Sequence, residues 1–407
     1  SSLRLRSDLS PESLPFQLRP IDWYSLGYTA VDPETRPSRT IDYAAGDFFL
    51  QDAGSMLALA GCEADVPPRN DRLVCDLCAA PGGKASALLE SIEDGFLLAN
   101  EPIKSRIAPL AFNLSRTGID RYAISSMDPD KLAERLGGVF DLVLVDVPCS
   151  GQALLGRGKQ SLAAVSQTQI EHSASRARRI LKSAITLVRP GGQLVLSTCT
   201  FAEAENESQV RWMLQQGGVS PAPVERLTGY SSGESNCTYR LWPHRHHCAG
   251  SFAASVRCED AEPMVTGRRQ KRQRQKNRER LPAELSQWFD GLPKRYQVSG
   301  ATIWGWPEDA PSWVDTIAIR GPEIAYRTGQ TWKPSHETSV RRRGPWSIRQ
   351  SIEVDDETAH QFLFGQPIPC DQSGWCVVRH HGRGLGWIKA SHGTGKNHLT
   401  SAARMSG

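Results

Sequence analysis

The chain has 407 residues, 39% of them hydrophobic and 23% charged, with a formal net charge of +4. No run approaches the roughly 18 consecutive apolar residues of a membrane-spanning helix, and no secretory leader pattern is present. Ten cysteines at irregular spacing favour free thiols in a reducing compartment over a disulfide framework. We therefore expect a cytoplasmic protein of two or three domains that neither enters a membrane nor is secreted.

The first 45 residues combine a strand-like run at 3–6 with several prolines, and we predict that they form an N-terminal extension. They begin without an initiator methionine, so the chain is expected to be a trimmed form of a longer protein.

From residue 71 to about 254, apolar runs alternate with helical segments, a pattern typical of βαβ units around a parallel sheet. A long helix is predicted over 167–188, ended by the Arg-Pro-Gly-Gly sequence at 189–192. The predicted strands are 73–77, 96–100, 122–125, 140–145 and 193–197. We therefore predict an α/β, Rossmann-like domain over residues 46–260.

A glycine turn follows the first predicted strand and opens a helix. A P-loop would need glycine at 78 and serine or threonine at 85, where Cys78 and Ala85 stand, and the spacing of a dinucleotide fingerprint is absent. S-adenosylmethionine carries no phosphate, so it needs a close backbone approach but no phosphate cradle. We predict that this cofactor contacts Cys78, Ala79, Ala80, Pro81, Gly82, Gly83 and Lys84.

Three acidic residues complete the predicted cofactor site. Glu101 ends the second strand, where a carboxylate can accept both ribose hydroxyls. Asp128 follows the third strand and is placed to meet the adenine edge, and Asp146 ends the fourth. Taken singly, each acid also fits an ordinary surface carboxylate.

Two cysteines stand where apolar strands end, Cys149 after 140–145 and Cys199 after 193–197. A thiolate there can attack an electron-poor carbon, and the nearby Asp146 can hydrogen-bond a substrate ring nitrogen. Methylation of cytosine at carbon 5 uses all three groups, because a thiolate must first add to carbon 6.

By contrast Cys62, Cys75, Cys258 and Cys376 are predicted to be buried apolar residues. No metal site is predicted, since Cys75 and Cys78 have no partner pair at zinc spacing.

The motifs around these cysteines resemble those of the Sun-type RNA cytosine-5 methyltransferases over residues 40–255. The resemblance implies that Cys199 is the nucleophile, that Cys149 assists release and that Asp146 contacts the base. Lys84 would lie near the methyl donor or the base, and the separate nucleophile distinguishes this family from DNA methylases that attack from a Pro-Cys cysteine. The matching segments are 51–55, 78–84, 146–151, 197–201, 205–207 and 240–244.

The C-terminal part begins after a basic linker predicted at 261–282. Eight of the thirteen residues at 268–280 are Lys or Arg, with Glu279 as the single acid, and Arg341–Arg343 form a second basic cluster. Both solvated charge and contact with nucleic-acid phosphate fit such clusters. Residues 283–407 hold eight of the eleven tryptophans and predicted strands at 375–379 and 385–389.

This region resembles the PUA-like RNA-binding end of bacterial small-subunit ribosomal RNA methyltransferases. The residues that carry the resemblance are 332–336, Gly365, Gly374, Trp375, 385–389, Lys396 and Asn397. It implies an RNA-binding β-rich module over 283–407, with further RNA contacts from the linker and the N-terminal extension.

The function that these features predict is methylation of cytosine carbon 5 in RNA, with small-subunit ribosomal RNA as the expected substrate. The segment 152–159 departs from the family pattern next to Cys149, which leaves the RNA target open. The alternatives are a tRNA cytosine-5 methyltransferase, a non-catalytic RNA-binding ribosome-assembly factor, and a methyltransferase for protein or a small molecule. The last would need no pair of strand-end cysteines.

Overall fold

The computed structural model describes residues 1–66, 72–233, 235–259, 280–342, 344 and 346–405. The chain divides into two compact units. The first comprises residues 1–33, 50–107 and 124–269, and the second comprises 34–49, 108–123 and 270–407. Most of the predicted basic linker, residues 261–279, lies outside the described residues, as does Arg343. None of the helices within the described ranges has the length and apolarity to cross a bilayer.

The N-terminal part of the chain forms a four-stranded sheet of order β2-β3-β1-β4 and two short helices. The strand predicted at 3–6 is β1, and it pairs antiparallel with β3. The elements are β1 (Ser2–Leu5), β2 (Leu18–Ile21), β3 (Tyr24–Ala30), α1 (Ile41–Ala44), β4 (Phe48–Leu50) and α2 (Met56–Gly61).

The middle of the chain forms a mixed sheet of order β10-β12-β9-β8-β5-β6-β7, with β11 paired to β12. Strands β5, β6, β8 and β9 pair in parallel, whereas β12 runs antiparallel to β9. The elements are β5 (Leu73–Asp76), α3 (Gly83–Glu90), β6 (Phe96–Asn100), α4 (Ile107–Ser115), β7 (Tyr122–Ser125), α5 (Pro129–Leu136), β8 (Phe140–Asp146), α6 (Gln167–Leu187), β9 (Val188–Thr198), α7 (Glu207–Leu214), β10 (Val219–Pro221), β11 (Thr238–Leu241), α8 (Pro243–His246) and β12 (Ser251–Cys258).

The central strands are buried on both faces, which explains their continuous apolar runs. Residues 142–145 of β8 and 194–196 of β9 are all buried, as expected for parallel strands covered by helices on two sides. Strands β6 and β7 have the predicted bounds, and the predicted α/β, Rossmann-like fold is confirmed. The four cysteines predicted as apolar residues are also buried: Cys62, Cys75, Cys258 and Cys376.

The start of β9 differs from the prediction. The long helix α6 ends at Leu187, and Val188 already pairs with Phe140 of β8. The register then shifts so that Leu142 faces Gln193, which leaves the four residues 189–192 opposite the single residue 141 of β8. The Pro-Gly sequence therefore forms a bulge rather than a turn, with Gly191 at a φ of 75°.

The C-terminal part is rich in short strands, which confirms the predicted β-rich module. Its sheets have the orders β14-β15-β16-β17, β19-β21-β22-β23-β20 and β13-β18. The elements are α9 (Leu285–Trp288), β13 (Phe289–Asp290), β14 (Arg295–Ser299), β15 (Thr302–Trp306), α10 (Val314–Ile317), β16 (Glu323–Thr328), β17 (Thr331–Pro334), α11 (His336–Ser339), β18 (Ser347–Ile348), β19 (Ser351–Glu353), α12 (Asp356–Leu363), β20 (Ile368–Pro369), β21 (Gly374–His380), β22 (Arg383–Ser391) and β23 (Thr394–Asn397).

Aromatic residues form one core of this second unit. The Phe289 ring lies 4.5 Å from that of Trp346 and 6.1 Å from that of Trp387. The buried Trp387 indole donates to the Ser335 carbonyl and to the Thr338 hydroxyl, both at 3.0 Å. Because its polar edge is satisfied, this large side chain can be buried without an unpaired donor.

Residues 34–49 pack within the second unit, although the sequence pattern predicted that most of them belong to the N-terminal extension. Ile41 and Ala45 belong to the apolar core that contains Phe362 and Ile388. The Arg383 guanidinium forms ion pairs with Asp42 and Asp47 in the same region. The domain boundaries drawn from the sequence remain predictions.

The basic cluster at 341–343 is only partly available for solvent or phosphate. Arg341 is 7% exposed, pairs with Asp120 at 3.6 Å and lies 4.4 Å above the Trp346 ring. Arg342 donates to the Gly46 carbonyl at 2.7 Å. The Arg341 side chain is therefore largely withdrawn from solvent, whereas Arg342 is half-buried, and contact of this cluster with phosphate remains a prediction.

Candidate active site

Cys149 and Cys199 come together at the carboxyl edge of the central sheet. Strands β8 and β9 are parallel neighbours, with Asp146 opposite Ser197, so the residues that follow each strand lie side by side. The two Sγ atoms are 3.4 Å apart, and both thiols are free. The two cysteines are fifty positions apart in the sequence, and the pairing of β8 with β9 brings them into contact.

Lys84 and Asp146 form an ion pair next to the thiols. Lys84 is in the first turn of α3, Asp146 ends β8, and Nζ lies 2.8 Å from Oδ2. Burial acts to lower the pKa of Lys84, but the charge and hydrogen bond of Asp146 outweigh it and raise that pKa. The lysine is therefore held in its charged form beside the cysteines.

The two thiols differ in acidity. The contact with Cys149 lowers the pKa of Cys199, and the positive charge of Lys84 acts in the same direction against burial and the charge of Asp146. The contact with Cys199, together with burial, raises the pKa of Cys149. Since the thiolate is the attacking form of cysteine, this arrangement favours Cys199 as the nucleophile.

A hydrogen-bond network fixes the two cysteine-bearing loops relative to each other. The buried Glu205 carboxylate accepts from the Ser150 N–H at 2.7 Å, and the Ser150 and Thr200 hydroxyls lie 2.9 Å apart. Burial raises the pKa of Glu205. In addition, the Ala153 N–H donates to the Cys199 carbonyl at 3.0 Å. Because Ser150 follows Cys149 and Thr200 follows Cys199, these contacts fix the backbone that carries each thiol.

The predicted glycine turn, residues 78–83, follows β5 and ends at the first residue of α3. Gly82 adopts a φ of 112° at the N-cap of α3, a conformation that favours glycine. Ala79 and Ala80 are buried, Cys78 and Gly83 are half-buried, and Pro81 is exposed. The Arg106 guanidinium donates to the Ala80 carbonyl at 2.6 Å. The turn therefore holds its backbone in a fixed shape at the sheet edge where ligands of such folds bind.

Two predicted acidic residues occupy different environments. The Glu101 side chain is 2% exposed and accepts from the Ile103 N–H at 2.9 Å and from Arg106 at 3.1 Å. Asp128 is the half-buried N-cap of α5, where it accepts from the Asp130 N–H and pairs with Arg179 at 3.2 Å. Glu101 is thus a buried carboxylate at the strand end, whereas Asp128 lies at the surface.

Asn100 is a central residue of this edge that the sequence pattern did not single out. Its buried amide donates to the carbonyls of Leu77 and Met127, and its oxygen accepts from the Ser125 hydroxyl and the Met127 N–H. One side chain therefore joins the ends of β5, β6 and β7. The only signal in the sequence was a polar residue at the end of an apolar run, directly before Glu101.

The residues at this edge fit S-adenosylmethionine. The glycine turn permits close backbone approach, and Glu101 places a buried carboxylate at the end of the second strand of the βαβ unit. Asp76 Oδ1 is buried and has no hydrogen-bond partner among the described residues. Burial, with the nearby charge of Asp146, raises the pKa of Asp76 to about 7. An unsatisfied acceptor beside the turn is consistent with a ligand that brings donors of its own.

Two protein families match the chain. The family described as 16S rRNA methyltransferase RsmB/F matches residues 65–257, and the family described as methyltransferase RsmF PUA domain matches residues 349–405. The chain therefore carries an RsmB/F methyltransferase domain and an RsmF PUA domain. The resemblances drawn from the sequence are confirmed, as is the prediction of a methyltransferase that uses S-adenosylmethionine.

Individual relatives agree with this assignment. The ribosomal RNA small subunit methyltransferase F of Aeromonas salmonicida is 26% identical over 402 residues, which cover 93% of this chain and 83% of the relative. That of Erwinia tasmaniensis is 34% identical over 257 residues, 60% of this chain and 52% of the relative.

Two solved structures resemble the methyltransferase domain. A methyltransferase homologue from Pyrococcus horikoshii has a TM-score of 0.54 at 25% identity and covers 63% of this chain and 85% of its own. NSun6 from the same organism, solved with SFG, has a TM-score of 0.50 at 27% identity and covers 58% of this chain and 60% of its own.

Proposed function

We propose that this protein methylates carbon 5 of a cytosine in small-subunit ribosomal RNA. The observation that carries the proposal is the 3.4 Å contact between Cys149 and Cys199 beside the Lys84–Asp146 ion pair. Relatives named ribosomal RNA small subunit methyltransferase F support the choice of RNA. Ten thiols without a disulfide support action in a reducing compartment, the cytoplasm.

Cys199 starts the proposed reaction. Its thiolate adds to carbon 6 of the cytosine, the electrons of the bond between carbons 5 and 6 shift toward the ring nitrogen at position 3, and that nitrogen takes a proton from water. Asp146 hydrogen-bonds this edge of the base, and Lys84 holds Asp146 in place while its charge stabilises the thiolate. Bound S-adenosylmethionine supplies an electrophilic methyl group for carbon 5.

Cys149 completes the reaction. After methylation, a water molecule takes the proton from carbon 5, the bond between carbon 6 and sulfur breaks, and the Cys199 thiolate is regenerated while the ring nitrogen returns its proton to water. The Cys149 thiol stays protonated because its pKa is raised, and it lies within hydrogen-bond distance of the leaving sulfur. It can therefore stabilise the negative charge that returns to Cys199.

The residues of the cofactor site have separate roles in the proposal. The backbone of 78–83 and the side chain of Glu101 hold the cofactor, with Asn100 and Arg106 fixing both in position. The target base must leave its stack to reach Cys199, since carbon 6 is shielded within a duplex.

Cysteine variants test the proposal directly. With S-adenosylmethionine and RNA, Cys149→Ala is expected to accumulate a covalent protein–RNA adduct on a denaturing gel, whereas Cys199→Ala forms neither adduct nor product. Methylation by Cys199→Ala would overturn the assignment of the nucleophile. Bisulfite sequencing of cellular RNA with and without the protein identifies the methylated cytosine. If that cytosine lies in a tRNA and none in ribosomal RNA depends on the protein, the proposed substrate is wrong.

A further inference from the structure

A short segment beside the two thiols carries the most exposed large apolar side chain among the described residues. It is the 3-10 helix Leu162–Val165 of the first unit. Leu162 is 81% exposed and Val165 is 55% exposed, whereas the intervening Ala164 is buried. Exposed leucines are ordinary when they are scattered singly over a surface. The location of these two relative to the thiols is what points to a role.

Gln152 joins this segment to the loop that carries Cys199. Its side-chain oxygen accepts from the Phe201 N–H, and its side-chain nitrogen donates to the Ala164 carbonyl, both at 3.2 Å. Phe201 comes two positions after Cys199 in the sequence. One planar amide therefore spans the distance between the loop of the proposed nucleophile and the short helix.

Gln160 joins the same segment to the loop that carries Cys149. Its side-chain nitrogen donates to the carbonyl of Ser150, the residue after Cys149, and its side-chain oxygen accepts from the Ser161 N–H, both at 3.0 Å. Leu162 therefore lies between two backbone positions, 161 and 164, that glutamine side chains attach to the loops of the thiols. Because each amide uses both its donor and its acceptor, the backbone on either side of Leu162 is fixed.

The charge of the surrounding sequence favours an anionic partner. Residues 147–170 contain no Asp or Glu and include Arg157 and Lys159. Both side chains are exposed, and Arg157 also pairs with Asp52. A stretch without acids presents no negative charge to the phosphates of a nucleic acid. Proximity to the thiols and the absence of acids therefore both favour RNA as the molecule that covers Leu162.

An apolar side chain has a specific use beside a target base. When a cytosine leaves its stack, the bases that flanked it lose a stacking contact on one face, and this loss costs free energy. Proteins that unstack nucleic-acid bases offset such a loss by placing leucine or other apolar side chains against the bases. Leu162 has this chemistry, and its backbone is attached to the loops of the thiols that the cytosine must reach.

We propose that Leu162 packs against the face of a base next to the target cytosine in the substrate RNA, and that Val165 extends this apolar surface. The proposal rests on the proposed function for its choice of RNA, and it adds a contact that favours the unstacked state of the target. Gln152 and Gln160 are positioning residues, because they fix the backbone that carries Leu162.

Photochemical crosslinking tests the contact without relying on methylation. Leu162→p-benzoylphenylalanine, irradiated with a small-subunit ribosomal RNA transcript, is expected to crosslink to the RNA. Reverse transcription maps the crosslinked nucleotide, which should be adjacent to the methylated cytosine. The control is Val66→p-benzoylphenylalanine, at an exposed apolar residue of the same unit outside the short helix. Equal crosslinking by both variants, or a crosslink at Leu162 that maps far from the methylated cytosine, would overturn the proposed contact.

Binding measurements distinguish an apolar contact from a charge contact. Leu162→Ala is expected to raise Kd by about tenfold, measured by fluorescence anisotropy with a fluorescein-labelled transcript, because it removes buried apolar area. The slope of log Kd against log salt should remain that of the wild type, since no charge is lost. Leu162→Met retains the apolar volume and should keep Kd near the wild-type value. Val66→Ala should change neither Kd nor slope.

Gln160→Met tests the positioning role. It removes both hydrogen bonds of an exposed amide, so the variant is expected to fold, and near-UV circular dichroism verifies this. Kd should rise by about threefold. Leu162→Ala should then raise Kd less in the Gln160→Met background than in the wild type, because a leucine on a loosened backbone contributes less. Equal effects in the two backgrounds would contradict the positioning role of Gln160.

The outcomes separate this proposal from the proposed function. A wild-type Kd in Leu162→Ala, or an equal loss in Val66→Ala, would overturn the contact even if the protein methylates RNA. If Leu162→Ala changes the oligomeric state in light scattering and leaves Kd unchanged, the surface binds a second copy of the chain and the RNA contact is wrong. A crosslink at Leu162 with RNA that stays unmodified supports the RNA contact, and only the proposed reaction is then wrong.

Discussion

Lys84 Nζ lies 2.8 Å from Asp146 Oδ2 and joins the first turn of α3 to the end of β8. The two residues are 62 positions apart in the sequence, and their ion pair places a cation beside Cys199. The pair thus connects the turn predicted to bind the cofactor with the thiols predicted to perform the chemistry. Variants at Lys84, Asn100 and Asp76 probe this site, and a variant at Arg383 probes packing within the second unit.

Replacing Lys84 by methionine should make Cys199 less acidic. The neighbouring Cys149 thiol remains, but the cation that opposes the effects of burial and of Asp146 is removed, so the pKa of Cys199 rises. We expect alkylation of Cys199 by iodoacetamide at pH 7, followed by mass spectrometry, to slow by roughly tenfold if this pKa rises by about one. Lys84→Arg retains the charge and is the control. An unchanged profile of rate against pH in Lys84→Met would show that Lys84 does not activate the thiol.

Replacing Asn100 by leucine should destabilise the cofactor edge. The change leaves the carbonyls of Leu77 and Met127 and the Met127 N–H without their partner. We expect a loss of about 3 kcal/mol in the free energy of unfolding, measured with urea, because buried polar groups become unsatisfied. Calorimetry should also show weaker binding of S-adenosylmethionine.

A matched control for Asn100 is Ser126→Ala, which removes a single hydrogen bond to the Pro102 carbonyl. It should change the free energy of unfolding by less than about 1 kcal/mol. Equal effects of the two substitutions would contradict the bridging role of Asn100.

Asp76 should make stability depend on pH. Its pKa is about 7 in the folded protein against 3.8 for an unperturbed carboxyl, so the folded state binds the proton more tightly. The free energy of unfolding should therefore fall as pH rises from about 4 to about 7, by an amount on the order of 4 kcal/mol. Asp76→Asn should remove this dependence on pH. The difference in the free energy of unfolding between variant and wild type should therefore favour the variant more at pH 8 than at pH 5. Urea unfolding at both pH values measures the difference, and the exposed Glu134→Gln, as control, should keep the wild-type slope.

Arg383 should hold residues 34–49 to the rest of the second unit. Its guanidinium pairs with Asp42 at 2.8 Å and also with the buried Asp47. Arg383→Met leaves both carboxylates without this partner, and the loss of a buried ion-pair member costs about 3 kcal/mol. Hydrogen exchange of amides 41–45 should accelerate in the variant. Arg349→Met, which breaks the exposed pair with Asp290, should leave that exchange unchanged. Unchanged exchange in Arg383→Met would contradict this role.

Much of the fold was predictable because its signals are local. The apolar runs at 96–100 and 122–125 gave β6 and β7 with the observed bounds, since a strand buried on both faces has a continuous apolar sequence. The bulge at 189–192 was not predictable, because Pro and Gly fit both a turn and a bulge and only pairing with β8 distinguishes them. For Asp128 the sequence indicated only a position after a strand, and the structure adds that it is the N-cap of α5, while its contact with adenine remains a prediction.

By itself, the sequence determined the residue types at the strand ends, including Cys149, Cys199 and the glycine turn, because these follow from local patterns and motif spacing. Only the tertiary structure decided which of them meet. The contact between the thiols requires β8 and β9 to be neighbours, and the role of Asn100 requires three strands to end together. Such contacts depend on strand order and side-chain burial, and local periodicity encodes neither.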